Sequence, residues 1–214
     1  ARSAFPMEMD EFTVEMQQNT IINMDPPRHQ KVRRIVRNAF TPKRVDSYEP
    51  SFRKHAKRIV DAVVSRGECE FVEEVAAELP LIGILDLLGV PLEDRKQFFE
   101  WTNTMIFADD PDMSVSEEEA QLAAMEVIGY AMQLALKHRE EPMDNITSAL
   151  LDAELEGEPV SEDMFGWMFI LILVGGNEST RTVIAQGMRL LMEHPEQLQY
   201  LVDNPDKISN AVEE

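Results

Sequence analysis

The chain is short of cysteine, of positive charge and of long apolar runs. Its 214 residues include a single cysteine, Cys69, which excludes a disulfide framework and any cysteine-cluster metal site. Lysines and arginines number 20 against 40 aspartates and glutamates, a formal net charge of −20. That balance argues against nucleic acid as the main partner and suits an acidic, cytoplasmic protein. The strongest apolar stretch, Met164 to Val174, is about 11 residues, well short of the ~20 that a membrane span needs. It reads as a buried core helix. No signal peptide, internal repeat or low-complexity linker is visible. Nor is there a Glu-x-x-His pair from which a di-metal carboxylate bundle could be built. What is present is an ordinary globular composition, with 44% hydrophobic residues and enough chain for one good core.

The chain is organised around residues 161–194. Ser161 can cap a helix, Glu162 and Asp163 suit its first turn, and Pro195 closes the far end. The pattern between them is helical, and from Met164 to Val174 it is apolar on every face, so this helix should run through the middle of the molecule. Mid-helix comes Gly175-Gly176-Asn177-Glu178-Ser179-Thr180. Each glycine costs a helix interior roughly 1 kcal/mol relative to alanine, and removes the side chain that would keep another group from the backbone. The following hydroxyls can divert backbone hydrogen bonds and bend the helix. Glu178 places an ionisable group beside them, at what should be the most buried part of the chain. So many local rules broken at one place point to a functional site; a packing notch is the plain alternative.

In chain order, a short amphipathic piece is expected near Phe12 to Gln18. Asp25 is a plausible N-cap, and Pro26-Pro27 pre-set a helix running to about Ala39. On it His29 and Arg33 lie four apart on one face, a fork of donors suited to a carboxylate or phosphate, or simply a solvated basic helix. A second helix is predicted from Val45 to Ser65. The lysines and arginines of Arg28 to Arg66 hold most of the positive charge, as a docking face for an acidic partner or as solvated surface. Glu68 to Val72 suits one short strand. Cys69, with acidic neighbours and no histidine or lysine beside it, reads as structural. Helices are further predicted to Leu88 (broken at Pro80), over Leu92 to Phe107, Ser116 to Arg139 and Asn145 to Glu154, and in two pieces after Pro195. Asp109-Asp110-Pro111-Asp112 is a loop without calcium-ligand spacing. The expected fold class is all-α, one domain over 1–214 around one long central helix, with at most one short strand.

Three stretches together, NMDPPRHQKVRRIVRNAFTPKRV (Asn23 to Val45), EFVEEVAAELPLIGILDLLGVPLED (Glu70 to Asp94) and LVGGNESTR (Leu173 to Arg181), resemble a bacterial cytochrome P450, a haem-thiolate monooxygenase. The resemblance implies that the long helix crosses the oxygen-binding face of haem, and that Gly175 and Gly176 let its backbone come close. It makes Glu178 and Ser179 the acid–alcohol pair that delivers protons. Serine stands where the family usually has threonine, with less constraint at χ1 and looser coupling expected. It gives His29 and Arg33 to a haem propionate, and the face with Arg34 and Arg37 to a ferredoxin or flavin reductase. Leu171, Val174, Trp101, Met105 and Phe107 would border an apolar substrate such as a sterol, branched lipid or terpene. The implied activity is hydroxylation with O2.

The family's cysteine loop and the arginine of its Glu-x-x-Arg motif have no match here; Glu214 would be that motif's glutamate. The chain is therefore expected to be an incomplete P450 domain without its axial ligand. By itself it should neither hold haem in the usual way nor catalyse. A non-catalytic helical module binding a lipid or a protein is the competing reading. It leaves the glycine pair, the Glu178-Ser179 pair and His29/Arg33 unexplained.

Overall fold

The computed structural model describes residues 20–107 and 115–213. The piece expected near Phe12 to Gln18, the acidic loop Asp109 to Asp112 and Glu214 lie outside them.

Helix α1 (Arg28–Ala39) follows the Pro26-Pro27 turn. The Asp25 side chain does not cap it. Pro27 holds that position, already near helical dihedrals, and the Asp25 carbonyl accepts the His29 N–H at 3.0 Å. Helix α2 (Pro42–Val64) begins three residues before the expected Val45, because Thr41 accepts the Arg44 N–H and Pro42 occupies the first turn.

No strand forms at Glu68 to Val72. The Glu70 carboxylate accepts the Glu73 N–H at 2.8 Å, and Glu74 accepts the Glu70 N–H at 2.8 Å. These reciprocal bonds satisfy a helix start locally, and one π-helical turn (Val72–Ala76) follows. The helix α3 (Glu78–Leu88) then begins after a joint at Ala77. The break expected at Pro80 thus falls three residues earlier, leaving the proline in a first turn where its missing N–H costs little. Gly89, at φ +71°, ends α3, with the Val90 N–H on the Leu85 carbonyl at 2.9 Å.

A 3-10 turn (Leu92–Asp94) leads into α4 (Arg95–Ile106). Helix α5 (Glu117–Glu140) starts with a capping box between Ser116 and Glu119. Helix α6 (Ile146–Leu151), capped by Asn145, stops short of Glu154. There β1 (Glu154–Leu155) pairs antiparallel with β2 (Glu158–Pro159) around Glu156 and Gly157, both at positive φ. The fold is mainly α, with two strands of two residues among the described residues where at most one was expected.

Central helix α7 (Glu162–Glu193) is continuous over 32 residues, capped by Ser161. It is followed by α8 (Pro195–Asp203), a 3-10 turn and α9 (Ile208–Glu213). Its first half packs on α3 and α5, and α4 lies on α5. Phe165, Phe169 and Leu173 are fully buried there, with Phe98, Leu81, Leu85 and Leu88. Each such side chain stabilises the fold by roughly 1.5–3 kcal/mol. Gly166 lets α5 close in, since a Cβ there would meet the Met132 Cε at 3.0 Å. No described helix is long and apolar enough to cross a membrane.

Candidate functional site

The faces of α7 at residues 171–181 have separate surroundings. One face meets α3, where a Cβ on Gly176 would stand 2.8 Å from the Ile84 Cδ1, so this glycine answers to packing. A second face meets α4. Buried Asn177 donates to the Thr102 hydroxyl at 3.4 Å, and Thr102 itself donates to the Phe98 carbonyl at 2.8 Å. Arg181, one turn on and 8% exposed, donates to the Asn103 Oδ1 at 3.1 Å and lies 5.6 Å from the Phe107 ring centroid. The remaining face is open among the described residues. It carries Leu171, Gly175 and Ser179 at i, i+4 and i+8, and a Cβ on Gly175 would meet nothing within 4 Å.

Gly175 and Ser179 are therefore exposed, not at the most buried part of the chain. α3, α4 and α5 pack on the other faces of α7 and leave this one uncovered among the described residues. The helix does not break at the glycines either. The Ser179 hydroxyl donates to the Gly175 carbonyl at 2.8 Å and the Thr180 hydroxyl to the Gly176 carbonyl at 3.0 Å, each beside an intact helical run. Glu178, beside Ser179 and half-buried, forms an ion pair with Arg181. The contact runs from the Arg181 guanidinium to the Glu178 Oε2.

The other predicted residues fall into two groups. Half-buried Leu171, Val174, Met105 and Phe107 lie on α7 and at the end of α4. Trp101 turns towards α5, its ring 5.2 Å from Phe98 and 6.2 Å from Tyr130, and its indole N–H bonds Glu126. His29 is half-buried and Arg33, Arg34 and Arg37 are exposed on α1, which packs mainly on α6 and β1 rather than on α7. The side chains of His29 and Arg33 have no hydrogen bond or ion pair among the described residues. The structure thus places this donor pair apart from the Gly175–Ser179 face. Cys69 is exposed in a cleft with Arg66, Glu68, Glu70 and Glu74. No cluster of three side chains among the described residues suits a metal ion.

Sequence reasoning passed over Arg181, Asn103, Thr102 and Asn177. The spacing of Glu178 and Arg181, three apart on a helix, was the available signal. The partners on α4 are more than 70 residues away and left none.

No family model matches the chain. It is 38% identical over 200 residues, 93% of its length, to the steroid C26-monooxygenase of Rhodococcus jostii, of which it covers 42%. It is 38% identical over 181 residues to the methyl-branched lipid omega-hydroxylase of Mycobacterium tuberculosis, covering 83% of this chain and 42% of that protein. Among solved structures, Mycobacterium marinum cytochrome P450 CYP268A2 in complex with pseudoionone superposes with a TM-score of 0.82 at 32% identity. That match covers 91% of this chain and 48% of that one. The chain spans less than half the length of the curated relatives it matches. Similarity along nearly all of the chain, in sequence and in backbone, makes it a member of the cytochrome P450 family.

Proposed function

We propose that this chain is part of a haem-dependent monooxygenase that inserts one oxygen atom of O2 into a C–H bond of an apolar substrate. The other atom leaves as water, with two electrons from a partner and two protons. One observation carries the reading: Gly175 and Ser179 share an open face of an unbroken helix, with the Glu178 carboxylate next to them.

The residues fit haem. His29 and Arg33, donors one helical turn apart and without side-chain partners among the described residues, suit a propionate carboxylate. Gly175 leaves the helix backbone accessible to a flat group, since nothing within 4 Å occupies the place of a side chain. Haem b, when bound, supplies the oxygen activation and the electron-accepting centre. Exposed Cys69, ringed by carboxylates, is not its axial ligand in this reading. Ser179 on the open face and half-buried Glu178 beside it hold and move protons. Leu171, Val174, Met105 and Phe107 keep the substrate side apolar, and Trp101 fixes α4 on α5. Arg34 and Arg37 belong to the face where a ferredoxin or flavin reductase docks, in the cytoplasm.

The substrate class follows from the relatives, whose names specify a steroid and a methyl-branched lipid, and from the apolar residues beside Gly175. Sterols, branched lipids and terpenes are therefore the compounds to screen. The test uses the haem-loaded protein that contains this chain. Ser179→Ala should keep oxygen consumption within about threefold while most of the oxygen appears as hydrogen peroxide rather than product. An unchanged product yield per oxygen would remove the role given to this hydroxyl.

A further inference from the structure

The Glu178–Arg181 pair is unlike an ordinary i,i+3 pair on a helix surface. Exposed pairs of that kind contribute little, because water competes for both charges. Here the Arg181 side chain keeps only 10% of its exposure and that of Glu178 26%. A buried guanidinium has five N–H donors to satisfy in a fixed plane. One end of that plane meets the Glu178 carboxylate and another the Asn103 Oδ1, and Phe107 lies beside it. Asn103 and Phe107 both come from the end of α4. The guanidinium cannot turn about its own helix without losing the bond to α4, so α4 fixes where it stands. Among the described residues Glu178 has no other partner, and the carboxylate direction follows the guanidinium.

We propose that Arg181 is a positioning residue for Glu178, anchored from α4 by Asn103. The proposal rests on the proton-handling role given to Glu178 above. It makes the end of α4, the element bearing the substrate-side residues Met105 and Phe107, the support for the carboxylate direction. Asn103 makes no hydrogen bond or ion pair with Glu178 among the described residues, so it acts only through Arg181.

The test reads the carboxyl carbon resonance of Glu178 in the protein that contains this chain, labelled with ¹³C-glutamate and assigned with E178Q, and compares N103L, N103D and R181M. Asn103 is half-buried, so both of its variants are expected to fold. Leucine removes the acceptor at similar size, and aspartate keeps it. The expected result is that N103L moves the Glu178 resonance in the direction that R181M does, while N103D leaves it near its original position. Amide exchange in the last turn of α4 should also quicken about tenfold in N103L. A Glu178 resonance unmoved by N103L, or moved equally by N103D, would overturn the proposal. These signals need no haem. E178Q product yield in the loaded protein tests the role of Glu178 separately.

Discussion

Gly175 and Gly176 are neighbours in sequence and opposites in physics. Gly176 faces α3, where a Cβ would press on Ile84 at 2.8 Å; Gly175 faces open space. Gly175→Ala should therefore stabilise the chain by about 0.5–1 kcal/mol, the ordinary gain from replacing a mid-helix glycine. Gly176→Ala should lose that gain to the clash and come out neutral or up to about 1 kcal/mol destabilised. Adding Ile84→Val should restore much of the difference, and thermal unfolding of the four chains reads it. Equal effects at both glycines would mean that the packing on α3 is looser than described. The glycine–hydroxyl line at Gly175 and Ser179 was legible because four-residue spacing is local. The role of Arg181 was not, because its anchor Asn103 lies 78 residues away in sequence.

Among the elements, two with side-chain caps were readable in advance, whereas the Thr41 cap of α2 was passed over. Ser116 with Glu119 and Ser161 with the Met164 N–H mark the starts of α5 and α7 by local hydrogen bonds. The segment at Glu68 to Val72 misled because β-branched and aromatic residues there resemble a strand, while Glu70 and Glu74 satisfy a helix start. Where α3, α5 and α6 meet, His138 is buried with its Nδ1 3.0 Å from the Ser148 hydroxyl. Burial, with Lys137 adding to it, holds His138 below the ordinary histidine value. As pH falls through about 6.5, the unfolded chain binds the proton before the folded one does. The contribution of His138 is thus fully present above that value and is lost below it, until the folded form protonates too. Urea midpoints should fall between pH 7.5 and 5.5, and the fall should be smaller in His138→Gln. An identical pH dependence in the variant would place the effect elsewhere.

The chain as a unit is strongly acidic, yet α1 presents exposed Arg33, Arg34 and Arg37 on one helix. Such a segregated patch changes the rate of encounter with an acidic partner more than it changes stability. Arg34→Glu with Arg37→Glu in the haem-loaded protein should slow association with an acidic ferredoxin about tenfold at low salt, with a much weaker effect at 0.5 M salt. Stopped-flow reduction measures it; a salt-independent loss would point to damaged folding instead. The mainly helical architecture and the charge segregation were both legible from composition and periodicity. That the central helix has one face left open among the described residues was not, because periodicity shows which residues are apolar but not how many neighbours arrive to cover them.

The Ser179 hydroxyl spends its only hydrogen on the Gly175 carbonyl. What it shows to the open side is therefore a pair of electron lone pairs, ready to receive a hydrogen bond rather than to give one. A water resting there would point a hydrogen inward and its oxygen outward. To reverse that polarity the hydroxyl must swing off the carbonyl, giving up a bond worth about 0.5–1.5 kcal/mol. In the proton-handling role proposed for Ser179, that small cost is what separates the accepting from the donating arrangement of the hydroxyl.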